Sequence, residues 1–187
     1  MNFLEIIRLW DTKAYYWFNS FARMNEAASA IIIFRAEYAQ YVVGLVLILM
    51  YAVTFLSKFR SYREKNFEMV VFSFVSAIVA RWGIGELIYF LYDRARPFET
   101  LPFALNLIDR APGHSFPSGH TLFFFALATG VSFYYPKTSI LFFLGTISIA
   151  LGRISAGVHW PSDVLAGAVL GVATAYLCRF IFLRVKK

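Results

Sequence analysis

Cysteine is nearly absent from this chain: Cys178 is the single one in 187 residues. One thiol excludes a disulfide framework and a cysteine-rich metal site, and Cys178 lies in an apolar stretch where it reads as a small packing residue. Charge is scarce too. Asp, Glu, Lys and Arg together make up 16% of the chain, against 59% hydrophobic residues. That balance, with a mean hydropathy of +0.61, is too apolar for an ordinary water-soluble domain. No carboxylate cluster suited to magnesium is evident, so neither a metal nor a cofactor is expected. No soluble basic patch exists, so the net charge of +7 does not point to nucleic acid. Lysines and arginines on cytoplasmic loops, facing anionic head groups, account for it. The first residues lack a basic region followed by an unbroken apolar run and a cleavage site, so membrane insertion is expected to use the internal spans. Repeats, low-complexity tracts and linkers are missing as well, which leaves one domain over 1–187.

What is present is apolar sequence in long blocks. Four stretches have the length and apolarity of spanning helices, and a fifth is short: 38–56, 67 to about 92, 120–135, 139–152 and 164–183. The short one, 139–152, needs flanking residues to cross. Residues 1–34 differ, because Glu5, Arg8, Asp11, Lys13, Arg23 and Glu26 interrupt their apolar and aromatic run. An amphipathic helix lying in the interface fits that pattern, with a sixth, partly polar span as the alternative. The expected fold is therefore an all-α integral membrane bundle of five to six transmembrane helices over 38–183, preceded by an N-terminal amphipathic helix.

Basic residues orient the bundle. Lys58, Arg60, Arg63, Lys65 and Lys137, with Arg179, Arg184, Lys186 and Lys187 in the tail, mark one side as cytoplasmic. The other side holds Arg94, Arg96, Arg110 and Arg153, an exception that implies a local need for positive charge. Three polar motifs converge on that same outer side: DRARPF ending at Phe98, PSGH at 117–120, and GRISAGVHWPSD ending at Asp163.

Each motif suits phosphate chemistry. Ser118 is a candidate N-cap, and free N–H groups at a helix start attract an anion. Gly119 would let backbone approach a phosphate closely. Arg96 and Arg153 offer planar donor forks that match phosphate oxygens. Pro161 fits the first turn of the last helix, which puts Asp163 in that turn, able to accept a hydrogen bond from one nitrogen of His159. A carboxylate so placed orients and activates a nucleophilic or basic imidazole. His120 remains as a second imidazole, placed to protonate a leaving group. Glu86, Tyr89, Asp93 and Arg96 have spacings that would put them on one helical face. Glu86 reads either as a functional group or as a partner of Arg81. His114 borders the motif without an assigned role, and Phe123 to Phe125 read as packing and lipid-facing residues rather than as a specific isoprenoid groove.

Taken together, Arg96-Pro97, Pro117-Ser118-Gly119-His120 and the Arg153, His159, Asp163 spacing resemble the signature of the type 2 phosphatidic acid phosphatase superfamily, over about 85–183. Within it the chain resembles bacterial undecaprenyl-diphosphate phosphatases, through its short length, FNSFARMNEAASAIIIFRAEYAQY and HSFPSGH. The resemblance implies that His159 is the nucleophile forming a phosphohistidine, Asp163 its charge partner and His120 the general acid. It implies that Arg96, Arg153, Ser118 and Gly119 hold the phosphate, and that no metal is needed. The sequence departs from the family twice. A lysine usually stands seven residues before the arginine, where this chain has Tyr89, and the third motif begins Gly152-Arg153 rather than Ser-Arg. Arg94, by its nearness to Arg96, is a candidate replacement for that lysine.

The expected function is hydrolysis of undecaprenyl diphosphate to undecaprenyl phosphate and phosphate, recycling the wall-polymer carrier lipid at the outer face of the plasma membrane. Its partners would be the lipid diphosphate or lipid phosphate substrate and the surrounding membrane lipids. Phosphatidylglycerophosphate, phosphatidate or another lipid phosphate is the alternative substrate. An anion transporter and a catalytically inactive lipid-binding protein are the readings from other classes.

Overall fold

The computed structural model describes residues 3–109 and 112–185; Arg110, Lys186 and Lys187 lie outside them. Among the described residues there are helices and loops but no strand. Six main helices organise the described residues: α1 (Phe3–Ser20), α2 (Glu26–Phe55), α3 (Ser57–Leu91), α4 (Gly119–Ser132), α5 (Ser139–Ser155) and α6 (Pro161–Val185). A single turn at Pro97–Thr100 interrupts the loop between α3 and α4. At a rise of 1.5 Å per residue, the 30, 35 and 25 residues of α2, α3 and α6 extend about 45, 52 and 37 Å, enough to cross a hydrocarbon core of about 30 Å. The 14 residues of α4 and 17 of α5 reach only about 21 and 26 Å.

The segment 1–34 is not one helix. Asn25 is extended (φ −169°, ψ 171°), which ends the first helical stretch. Its side chain accepts the Ala28 N–H at 2.8 Å and so caps the next helix. Residues from Glu26 onward then run without a break into the first long span, while α1 stays separate as the amphipathic element. Tyr92 likewise turns extended after Leu91. Asp93 and Arg96 therefore lie beyond α3 and do not share its face with Glu86 and Tyr89.

Small residues set the helix register. A Cβ added to Gly167 would lie 2.8 Å from the Ser118 carbonyl, and one added to Gly171 would lie 2.5 Å from that of Leu122. Both positions advance in the same direction, so α4 and α6 run parallel at near backbone contact, as small-residue pairs allow in membranes. Ser73 meets Gly130 and Arg81 meets Gly119, which makes α3 antiparallel to α4. Gly145 against Val43 and Gly152 against Ala36 make α5 antiparallel to α2. Leu47, Met69, Leu122, Leu127, Val131 and Ile149 fill the space between them. Leu45, Ile48, Leu141, Leu165 and Val169 are exposed, as expected of a surface solvated by lipid.

This register brings the starts of α4 and α6 and the ends of α3 and α5 to one end of the bundle. The loop with Lys58 and Arg60 lies at the other. α1 lies against the polar end, where Tyr15 packs on Ile154 and Trp160. Gly157 makes the α5–α6 connection possible. Its φ is +92°, and a Cβ there would sit 1.9 Å from the Leu105 carbonyl, so only glycine fits.

Candidate active site

A cavity of about 270 Å³ opens at the polar end, lined by His159, His120, Arg96 and Gly119 together with Arg81, Tyr89, Gln40, Trp82, Phe123 and Phe124. Three chain segments distant in sequence thus meet around one void. His159 occupies the connection just before α6 and is 2% exposed. Its Nδ1 lies 3.0 Å from the Ser115 carbonyl and 3.6 Å from Asp163 Oδ2. A carbonyl only accepts, so Nδ1 carries the proton and Nε2 keeps its lone pair. That lone pair is on the ring edge where Arg96 Nη1 approaches to 3.5 Å. The proton expected on Asp163 therefore goes to the Ser115 carbonyl, with the carboxylate alongside as an electrostatic neighbour. Burial pushes the His159 pKa down to about 4; Asp163 opposes the shift, and Arg153 and Arg96 reinforce it. The ring is neutral at physiological pH, with Nε2 unprotonated.

Asp163 is wholly buried in the first turn of α6. Its Oδ2 accepts the Trp160 N–H at 2.8 Å and the Ser115 hydroxyl. Its Oδ1 accepts Arg94 Nη1 at 2.6 Å. Arg94 Nη2 reaches Asp11 Oδ2, also at 2.6 Å, and its guanidinium lies over the Trp160 ring. Arg94, expected to hold phosphate, is instead bound between two carboxylates and is not among the residues that line the cavity. Arg96 does line it: Nη1 donates to the Val158 carbonyl at 2.8 Å and Nη2 to that of His114 at 2.9 Å.

The remaining expected phosphate groups divide. Gly119 opens α4 on the cavity wall. Ser118 holds the N-cap position, yet its hydroxyl caps no backbone N–H and instead accepts from Thr121 at 3.1 Å. Its own N–H donates to the Asp163 carbonyl at 3.0 Å, tying the starts of α4 and α6 together. Arg153 is buried behind the cavity, with Nη1 on the Ala36 carbonyl at 3.3 Å, inside a π-helical turn at Phe34–Tyr38. Its charge reaches His159, but Arg153 is not a lining residue.

A cation that the sequence did not assign to phosphate takes a place on the wall. Arg81 falls in a second π-helical turn, Val79–Gly85, and its guanidinium lies 5.2 Å from the Tyr89 ring centre. It pairs with the half-exposed Glu86 at 2.5 Å. The Tyr89 hydroxyl donates to the Pro117 carbonyl at 2.8 Å, and its ring stacks on His114. His114 is exposed and contacts Asp93 at 2.9 Å. Beside the cavity, a groove of about 350 Å³ lined by Tyr41, Gly44, Leu45, Ile48 and Phe74 shares Gln40, Phe123 and Phe124 with it. The cavity that holds the histidines and arginines and this largely apolar groove thus adjoin across three shared residues.

The family model described as PAP2 superfamily matches residues 70–187. The chain belongs to that superfamily. As a PAP2 protein it is a lipid phosphatase of the membrane. Across 175 residues it is 30% identical to the bacitracin transport permease protein BcrC of Bacillus licheniformis, covering 94% of this chain and 80% of that one. An undecaprenyl-diphosphatase of Sulfolobus acidocaldarius is 28% identical over 161 residues, 86% of this chain and 71% of its own. The crystal structure of LpxE from Aquifex aeolicus shares the fold, with a TM-score of 0.68 at 24% identity over 89% of this chain and 93% of that one. The PAP2 match includes His120, Arg153, His159 and Asp163 but starts after α1, so Asp11 lies outside the matched stretch.

Proposed function

We propose that this PAP2 protein hydrolyses undecaprenyl diphosphate to undecaprenyl phosphate and phosphate through a phosphohistidine on His159, at the outer face of the plasma membrane. The observation that carries the mechanism is the fixed tautomer of His159. With Nδ1–H held by the Ser115 carbonyl, the Nε2 lone pair is presented at the cavity beside Arg96.

Nε2 attacks the terminal phosphorus. The Nε2–P bond forms as the P–O bond to the lipid monophosphate breaks, and His120 gives its proton to the departing oxygen. Water then attacks the phosphohistidine, His120 takes the water's proton, and the N–P bond breaks to restore neutral His159. Arg96, the α4 N-terminus at Gly119 and Arg81 stabilise the transferring phosphoryl group. Arg81 supplies the positive charge that the family's lysine gives elsewhere, because it lies over Tyr89, the residue in that lysine's position. The reaction is metal-independent in this reading. The two carboxylates of the cluster behind His159, Asp163 and Asp11, are both occupied by Arg94, which leaves neither for a cation.

The choice of a polyprenyl substrate rests on the relatives named above and on the apolar groove that continues from the cavity past Phe123 and Phe124. The outward orientation rests on the basic loop at the opposite end of the bundle. Purified protein assayed for phosphate release from undecaprenyl diphosphate, phosphatidylglycerophosphate and phosphatidate, with chelator present, tests the proposal. Fastest turnover of the undecaprenyl substrate, abolished in His159→Ala, is expected. Preference for a glycerophospholipid would overturn the substrate, and an active alanine variant would overturn the mechanism.

A further inference from the structure

Asp11 is a buried carboxylate in a helix that composition assigns to the membrane surface. It is 4% exposed and fully engaged. Its Oδ1 accepts the Ser162 N–H at 2.8 Å, and its Oδ2 accepts the Ser162 hydroxyl at 2.5 Å and Arg94 Nη2 at 2.6 Å. Arg94 Nη1 spans Ser162 Oγ at 2.7 Å and Asp163 Oδ1 at 2.6 Å. An unbroken chain of charge-assisted contacts thus links α1 to the carboxylate beside the His159 ring.

We propose that Asp11 is a positioning residue for phosphoryl transfer, acting through Arg94 to fix Asp163 against His159; the inference rests on the assignment of His159 as nucleophile. Two observations favour this over a simple docking contact. The first is charge. Asp11, Arg94 and Asp163 together carry one net negative charge. Attack by Nε2 while Nδ1 keeps its proton creates one positive charge on the imidazole, so the cluster and ring become neutral as a pair when the N–P bond forms. The second is redundancy. α1 is held independently by Asn19, whose side chain donates to the Leu105 and Ser155 carbonyls at 3.0 and 2.9 Å and accepts the Leu105 N–H at 3.0 Å. Tyr15, buried against Trp160, adds a further anchor. Docking of α1 does not require a buried ion pair.

The test compares Asp11→Asn, Arg94→Gln and the double variant in the full-length protein, with undecaprenyl diphosphate as substrate. Turnover, KM and the rate of trapped phosphoenzyme formation are measured. Asp11→Asn is expected to lower kcat and phosphoenzyme formation 10- to 100-fold with KM within threefold. The double variant is expected to be no slower than Arg94→Gln alone, since both act through one carboxylate. Arg94→Lys, which keeps the charge but cannot fork between two carboxylates, is expected to lose 5- to 20-fold in kcat and serves if Asp11→Asn fails to accumulate. Unchanged kcat, a rise confined to KM, or additive losses in the double variant would overturn the proposal. A wild-type protein that forms no phosphoenzyme would instead overturn the nucleophile assignment on which it rests.

Discussion

Replacing Asp163 by Asn tests the electrostatics of the site with almost no change in shape. In the resting enzyme His159 is neutral, so the carboxylate 3.6 Å from Nδ1 gains little from it. In the proposed reaction Nε2 bonds to phosphorus with Nδ1 still protonated, so the ring becomes cationic and the interaction becomes charge on charge. At 3.6 Å and an effective dielectric of about 20, Coulomb's law gives roughly 4–5 kcal/mol. Each 1.4 kcal/mol is tenfold in rate, so full loss would slow transfer about a thousandfold. An oriented amide dipole keeps part of that stabilisation, and Arg94, freed from Asp163, adds repulsion. The expected fall in kcat is about 10²- to 10³-fold. Quenched-flow measurement of the first-turnover phosphoenzyme isolates this step from product release. The Ser115 carbonyl still fixes the tautomer in the variant, so a loss confined to the transfer rate, with KM unchanged, is the signature. A variant transferring phosphate within threefold of wild type would refute the reasoning.

Two further outcomes follow from the same site. Because burial lowers the His159 pKa to about 4, the ring stays unprotonated until pH falls well below the 6.5 of a free imidazole. The acid limb that His159 contributes to kcat/KM is therefore expected near pH 4, in a profile corrected for substrate ionisation; a limb at 6.5 would show an imidazole open to water. Arg81→Gln removes the wall cation over Tyr89 and is expected to cut kcat/KM 10- to 50-fold for lipid diphosphate, whereas Glu86→Gln, at the exposed end of the pair, changes it by less than threefold.

The parts of the fold legible in the sequence are those that local pattern encodes. The five apolar blocks each appear as helices because lipid demands runs of apolar residues with internally satisfied backbones. Pro161 begins α6, as its missing N–H and fixed φ dictate. The two histidines line one cavity because alternating spans bring their motifs to one end. What escaped depended on contacts between distant segments. Arg94 and Arg96 look alike in DRARPF, yet one faces the cavity and the other is drawn away by Asp11, a residue no local pattern connects to it. The Ser115 contact to the His159 ring is made by its carbonyl, which every residue possesses, so side-chain identity could not reveal it. Arg81 is aimed by a widened helical turn that hydrophobic periodicity does not report. The break at Asn25 was present as an N-cap residue before Glu26 but was masked by the apolar run around it.

The parallel contact between α4 and α6, closed by Gly167 and Gly171, also determines how the enzyme meets bilayers of different thickness. Helices adapt to mismatch by tilting, and two rods locked at backbone distance tilt as one body. His120 at the head of one and the His159 connection at the head of the other therefore keep their separation while their depth changes. Gly119 lies level with Arg81, and α3 continues to Leu91, so the head of α4 lies below the plane that α3 reaches and a lipid phosphate must come inward to meet it. Membrane thickness should accordingly govern how often a substrate reaches the pocket, while the rate of the chemical step stays constant.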